Sequence, residues 1–66
     1  MNVTYYATGV PNQWEVYVDA EYIGIIQKKA DEWFYSYPGG IVEGPHPDRR
    51  RVVAALIRET LGEQVS

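Results

Sequence analysis

The chain has no cysteine and only one histidine, one methionine and one phenylalanine among its 66 residues. Without thiols it forms no disulfide and no thiolate metal site. His46 alone cannot furnish the ligand set of a structural zinc centre. Long apolar runs are also missing: no stretch approaches the roughly 18 residues a membrane-spanning helix requires. Residues 1–10 (MNVTYYATGV) lack the charged start and continuous apolar core of a secretory signal. Together these absences predict a cytoplasmic protein with no cofactor or metal and no contact with a membrane.

Aromatic residues are abundant, with two Trp, six Tyr and one Phe. A chain this short buries only about 60% of its extended surface on folding. Small domains without disulfides or metals compensate by dense packing or self-association. Each aromatic ring buries about 150–250 Å², so a few can carry a small core. Hydrophobic content of 45% with 23% charged residues marks a globular chain. The expectation is one folded domain over residues 1–66, built on an aromatic core, on self-association, or on both.

The net charge of −3 is unevenly placed. Residues 1–48 carry seven acids against Lys28 and Lys29, a net −5. Residues 49–66 carry Arg49, Arg50, Arg51 and Arg58 against Glu59 and Glu63, a net +2. An acidic first part followed by a locally basic end bears on the choice of partners.

The pattern along the chain predicts strands near 3–8, 14–19, 22–28 and 33–37, with a short last strand over 41–43. Trp14, Val16 and Val18 alternate with Glu15, Tyr17 and Asp19, which makes this the clearest strand. Ile23, Ile25 and Ile26 cannot all share one face of a regular strand. Gly24 beside them points to a bulge or to close approach of another backbone. Gly9-Val10-Pro11-Asn12, Asp19–Tyr22, Lys29–Glu32 and Pro38-Gly39-Gly40 read as turns. A helix is expected over about residues 47–61. Pro47 suits its first position, Asp48 favours the positive end of the dipole, and Gly62 would close it. Val53, Leu56, Ile57 and Leu61 form its apolar stripe, with Val52 and Thr60 at the margins. Ala54 and Ala55 would allow close approach to the sheet. Short connections favour antiparallel neighbours, and one helix covers one face. The predicted fold is α+β, an antiparallel β-meander of three to five strands packed on one C-terminal helix in two layers.

Candidate chemistry is sparse. His46 lies between Pro45 and Pro47 with Glu43 and Asp48 nearby, the setting of an oriented general base. No cysteine serves as nucleophile, however, and Ser36 has no flanking motif. His46 therefore reads as a loop residue at the helix entrance, and the chain is not expected to be an enzyme. Arg49-Arg50-Arg51 opposes the helix dipole, each arginine by about 0.3–1 kcal/mol. Arg49 should lay its stem along the core edge, with Arg50 and Arg51 exposed. They either pair with Glu43, Asp48 or sheet carboxylates, or recognise an anionic surface.

A helix of about 15 residues spans some 22 Å and cannot cover nine rings spread over two sheet faces. If Trp14, Val16 and Val18 face the helix, Tyr17 faces away. Trp33, Tyr35 and Tyr37 share one face and Phe34 the other, while Tyr5 and Tyr6 split likewise. Which face the helix covers is left open. A helix-free face bearing tyrosines suits protein recognition, although cross-strand tyrosines also stabilise small sheets by themselves. The candidate protein-binding residues are Tyr5, Tyr17, Tyr22, Tyr35 and Tyr37. Base stacking on such a sheet is disfavoured by Glu15, Asp19, Glu21, Asp31 and Glu32, because phosphate affinity depends on cations.

The stretch Trp33-Phe34-Tyr35, then Gly44, then Val53-Ala54-Ala55-Leu56 resembles the small three-stranded sheet-and-helix domains of the AP2 and integrase arm-binding type. The same pattern resembles small bacterial and phage proteins. Membership of the first group would imply DNA binding through basic residues on the sheet. Here acids stand at such positions, and fold-level likeness does not carry function. Three roles follow as expectations. The first is an interaction module that binds protein, or itself, through a helix-free aromatic face. The second is a nucleic-acid-binding accessory domain using Lys28, Lys29, Arg49, Arg50 and Arg51. The third is a phage or mobile-element inhibitor of a host enzyme.

Overall fold

The structure is a computed structural model that describes residues 1–37 and 40–60. Five strands are followed by one helix: β1 (Val3–Ala7), β2 (Gln13–Val18), β3 (Glu21–Lys29), β4 (Glu32–Ser36), β5 (Val42–His46) and α1 (Arg49–Thr60). The strands form one sheet in sequence order, each antiparallel to its neighbour. The expected meander with a C-terminal helix is therefore present, with five strands. Among the described residues no helix is long and apolar enough to cross a membrane.

Turn chemistry fixes the pairing. Asp19-Ala20 and Ala30-Asp31 all have positive φ, between 51° and 71°. This is the two-residue hairpin conformation whose twist matches that of the flanking strands. At the β2–β3 pairing the register slips by one residue: Val16 faces Gly24, yet Tyr17 faces Tyr22. The extra residue, Ile23, lets Ile23 and Ile26 both enter the core, where they are 2% and 0% exposed. Both readings of Gly24 hold. A Cβ there would meet the Ser36 carbonyl oxygen at 2.6 Å and Leu56 Cδ1 at 3.0 Å, at a φ of +155°. Glycine admits the bulge and the helix at one point.

The core comprises Val16, Val18, Ile23, Ile26, Tyr35, Val52, Val53 and Leu56, with Val3, Tyr5, Trp14, Trp33, Tyr37, Ala55 and Ile57 packed around it. The helix lies over β3, β4 and β5.

Several boundaries differ from expectation. β5 is longer and includes Gly44, Pro45 and His46. As an outer strand it needs no ladder bond from Pro45 on its free side. α1 starts two residues after Pro47, because Asp48 is the cap. Its Oδ1 accepts the Arg51 N–H at 2.8 Å, and its carbonyl accepts the Val52 N–H at 3.2 Å. Val52 is fully buried rather than marginal, whereas Ala54 is exposed. Close approach is supplied by Gly24 below Leu56 rather than by Ala54. The Gly40 N–H donates to the Tyr37 carbonyl at 2.9 Å. Pro38, Gly39, the Leu61 end of the apolar stripe and the Gly62 cap lie outside the described residues.

Candidate functional site

Strand alternation and the helix together sort the aromatics. Because Val16 and Val18 are buried in the core cluster that the helix residues Val52, Val53 and Leu56 complete, Glu15 and Tyr17 between them face away from that side. The pairing carries this sidedness across the sheet. Thr4 and Tyr6 lie opposite Tyr17 and Glu15, and Tyr22 and Ile25 lie opposite Tyr17 and Glu15 from the other flank. Phe34 and Ser36 continue the same face on β4, opposite Gln27 and Ile25.

The centre of this helix-free face is a row of three tyrosines, one on each of β1, β2 and β3. Tyr6 meets Tyr17 edge-on with centroids 5.2 Å apart, and Tyr17 meets Tyr22 at 5.4 Å with planes tilted by 45°. These are favoured aromatic geometries. Tyr6 is 54% and Tyr22 37% exposed, while Tyr17 between them is half-buried. The Tyr17 hydroxyl donates to Glu15 Oε1 at 3.4 Å. Burial, and then the Glu15 carboxylate, raise the Tyr17 pKa above the ordinary tyrosine value. Beside the row runs an open groove of about 900 Å³, lined by Asn2, Thr4, Tyr6, Glu15, Tyr17, Asp19 and Ala20. It combines ring faces with two carboxylates and an amide, the mixture common at protein-recognition surfaces. A short polar chain from Thr8 to Gln13 (2.8 Å) to Gln27 (3.4 Å) borders the other end of the face.

Of the five tyrosines expected on this face, only Tyr17 and Tyr22 are there. Tyr5, Tyr35 and Tyr37 lie on the helix side, packed in or against the core. Tyr35 is 6% exposed, held edge-on to Tyr37 at 5.8 Å and stacked on His46 at 5.9 Å. The Tyr37 hydroxyl donates to Glu59 Oε1 at 3.2 Å. Burial raises the pKa of both phenols. For Tyr37 the Tyr35 phenol and the Glu59 carboxylate push further, well above the ordinary value. The alternation that set Tyr5 apart from Tyr6 was legible in the sequence. The pairing of Tyr5 with Val16, which puts Tyr6 on the bare face, was not.

His46 is a strand residue, not a loop residue. With Tyr35, Glu43, Ala55, Arg58 and Glu59 it lines a hollow of about 320 Å³ between β5 and α1. Among the described residues, no group of three or more His, Asp or Glu is placed to hold a metal ion.

The five cations considered for anion contact are dispersed. Lys28 lies 4.0 Å from Asp31 and 6.0 Å from the Trp33 ring on the helix side. Lys29 follows it on the opposite side, across from Glu32. The Arg49 guanidinium sits 5.0 Å above the ring of Tyr5, which packs against the core. Arg51 reaches Asp48 at 3.9 Å. Arg50 and Arg51 are exposed, and Arg50 has no ion-pair partner among the described residues.

No protein-family model, characterised protein or solved structure matches the chain.

Proposed function

We propose that the protein is a non-enzymatic interaction module that binds a protein partner through the helix-free face centred on Tyr6, Tyr17 and Tyr22. The observation that carries this reading is the row of three rings, Tyr17 packed between the exposed Tyr6 and Tyr22, beside an open groove. Tyrosines held by their neighbours offer a large contact area at little entropic cost. Glu15 and Asp19 in the groove favour a partner that presents cations or amides. Dispersal of the cations over both sides of the sheet weighs against a nucleic-acid role, because phosphate binding gains from cations gathered on one surface.

The test compares proteins retained from an extract of the native host by the wild type, by Tyr17→Ala with Tyr22→Ala, and by Arg50→Glu with Arg51→Glu. Thermal melts verify that each variant is folded. The expected result is a partner that is lost with the tyrosines and kept with the arginine changes. Retention that ignores the tyrosines, or salt-sensitive binding of nucleic acid that vanishes with the arginines, would overturn the reading.

A further inference from the structure

The two edges of the sheet are unlike. β5 carries Glu43, Gly44 and Pro45, and α1 packs against it. These are the usual guards against edge-to-edge pairing. β1 (Val3–Ala7) has none: no proline, no lysine, no bulge and no helix over its backbone.

Its hydrogen-bonding phase can be worked out. The register that sets Val3 opposite Val18 sets Asn2 opposite Asp19, and the Asp19 N–H donates to the Asn2 carbonyl at 2.8 Å. Bonded and non-bonded pairs alternate along an antiparallel ladder. Thr4 with Tyr17 and Tyr6 with Glu15 therefore exchange the inward bonds. Val3, Tyr5 and Ala7 turn their N–H and carbonyl groups outward, with no strand beyond them among the described residues.

We propose that β1 is an association edge at which two copies of this chain pair antiparallel, Tyr5 opposite Tyr5 and Val3 opposite Ala7, into one ten-stranded sheet. The register follows from the phase. Centred on Tyr5, it joins the three outward-facing residues of each copy in bonded pairs, giving six main-chain hydrogen bonds around a two-fold axis. It also sets Thr4 opposite Tyr6 on the helix-free side. Charge selects a second copy as the occupant. The chain has a net charge of −3, yet no side chain from Met1 to Trp14 is charged. The acids of both copies thus stand off the pairing strand, the charge nearest the axis is the Arg49 guanidinium over each Tyr5 ring, and an uncharged strand is matched by the uncharged strand the chain itself supplies. Met1 before the strand, Tyr6 within it and Val10 after it are 80%, 54% and 55% exposed, apolar surface spread along the edge that pairing would cover in part. The inference does not depend on the tyrosine face binding a partner. Tyr22→Ala tests that face from β3, two strands away from the edge.

The experiment is sedimentation of the full chain over a concentration series up to about 1 mM, together with amide hydrogen exchange at both ends of the series. The expected result is a dimer at high concentration, with Val3, Tyr5 and Ala7 amides becoming protected as it forms. Thr4 and Tyr6 amides are protected throughout. Ala7→Pro, which removes an outward donor and no internal bond, weakens the dimer at least tenfold. The exchange pattern of the unaltered chain decides the matter even if a variant fails to fold. A strict monomer, a dimer whose Val3, Tyr5 and Ala7 amides stay unprotected, or a dimer indifferent to a folded Ala7→Pro would each overturn the proposal. Protection of those amides only when another protein's extended segment is added would assign the edge to that strand instead.

Discussion

The two faces of this sheet are built from the same residue types to opposite ends. Beneath the helix, Tyr35 is 6% exposed and surrounded by Tyr37, His46 and the aliphatic core. On the bare face, Tyr17 is packed between Tyr6 and Tyr22, and those flanking rings are themselves open to water. A tyrosine in the first setting stabilises the fold by burial, whereas one in the second mainly presents a surface. Residue identity alone therefore says little about role here, and the side of the sheet says nearly everything. It follows that Tyr35→Ala is no probe of binding, because it would open the core.

Changes on the covered face should break the molecule. Leu56→Ala removes a fully buried side chain that closes over Gly24, and should cost about 2–5 kcal/mol, read by chemical denaturation. Gly24→Ala drives a methyl group to 2.6 Å from the Ser36 oxygen. Its expected cost is about 1–3 kcal/mol, and shortening Leu56 in the same chain should not rescue it, because the nearest clash is with backbone. If Gly24→Ala were neutral, the bulge would not be what admits the helix. On the bare face Tyr17→Ala loses two ring contacts and should cost about 1–2 kcal/mol, with the native helix signal retained in circular dichroism. A larger loss would mean that the two faces are not separate in energy.

Tyrosines on both faces respond to base. Tyr35 and Tyr37 hold their protons more tightly in the folded chain than in the unfolded one, where a tyrosine ionises near pH 10. Their contribution to stability is thus complete below that pH and is lost as pH rises through the folded-state values, because the unfolded chain releases its protons first. Denaturation midpoints measured upward from about pH 10 should fall, and Tyr37→Phe should flatten that fall. The smallest effect is expected at Glu15. There, Glu15→Gln should lower the raised Tyr17 pKa and leave Tyr37 unchanged, as followed by ultraviolet titration.

The parts of the fold that local chemistry controls were legible. Alternation from Trp14 to Asp19 marked β2, and the crowding of Ile23, Ile25 and Ile26 about Gly24 marked the bulge. The helix start was misplaced because Pro47 and Asp48 both suit helix entry; only the bond from the Arg51 N–H identifies Asp48 as the cap. β5 was cut short because Gly44 and Pro45 read as punctuation, and their tolerance at a sheet edge depends on which strand is outermost. For the candidate site, Tyr17 and Tyr22 were legible as residues of the face, while Tyr6 required the register with β2.

By itself the sequence determined that the chain makes a meander and one amphipathic helix, and that its strands carry rings on both sides. Those are consequences of turn residues and of two periodicities, and both act over a few neighbours. Only the tertiary structure decided which side the helix covers. A period of two makes a strand two-sided without ranking the sides. The ranking comes from contacts distant in sequence: the bulge that turns Ile23 and Ile26 together, and the gap at Gly24 that receives Leu56. That choice buried Tyr35 and left Tyr6, Tyr17 and Tyr22 facing outward.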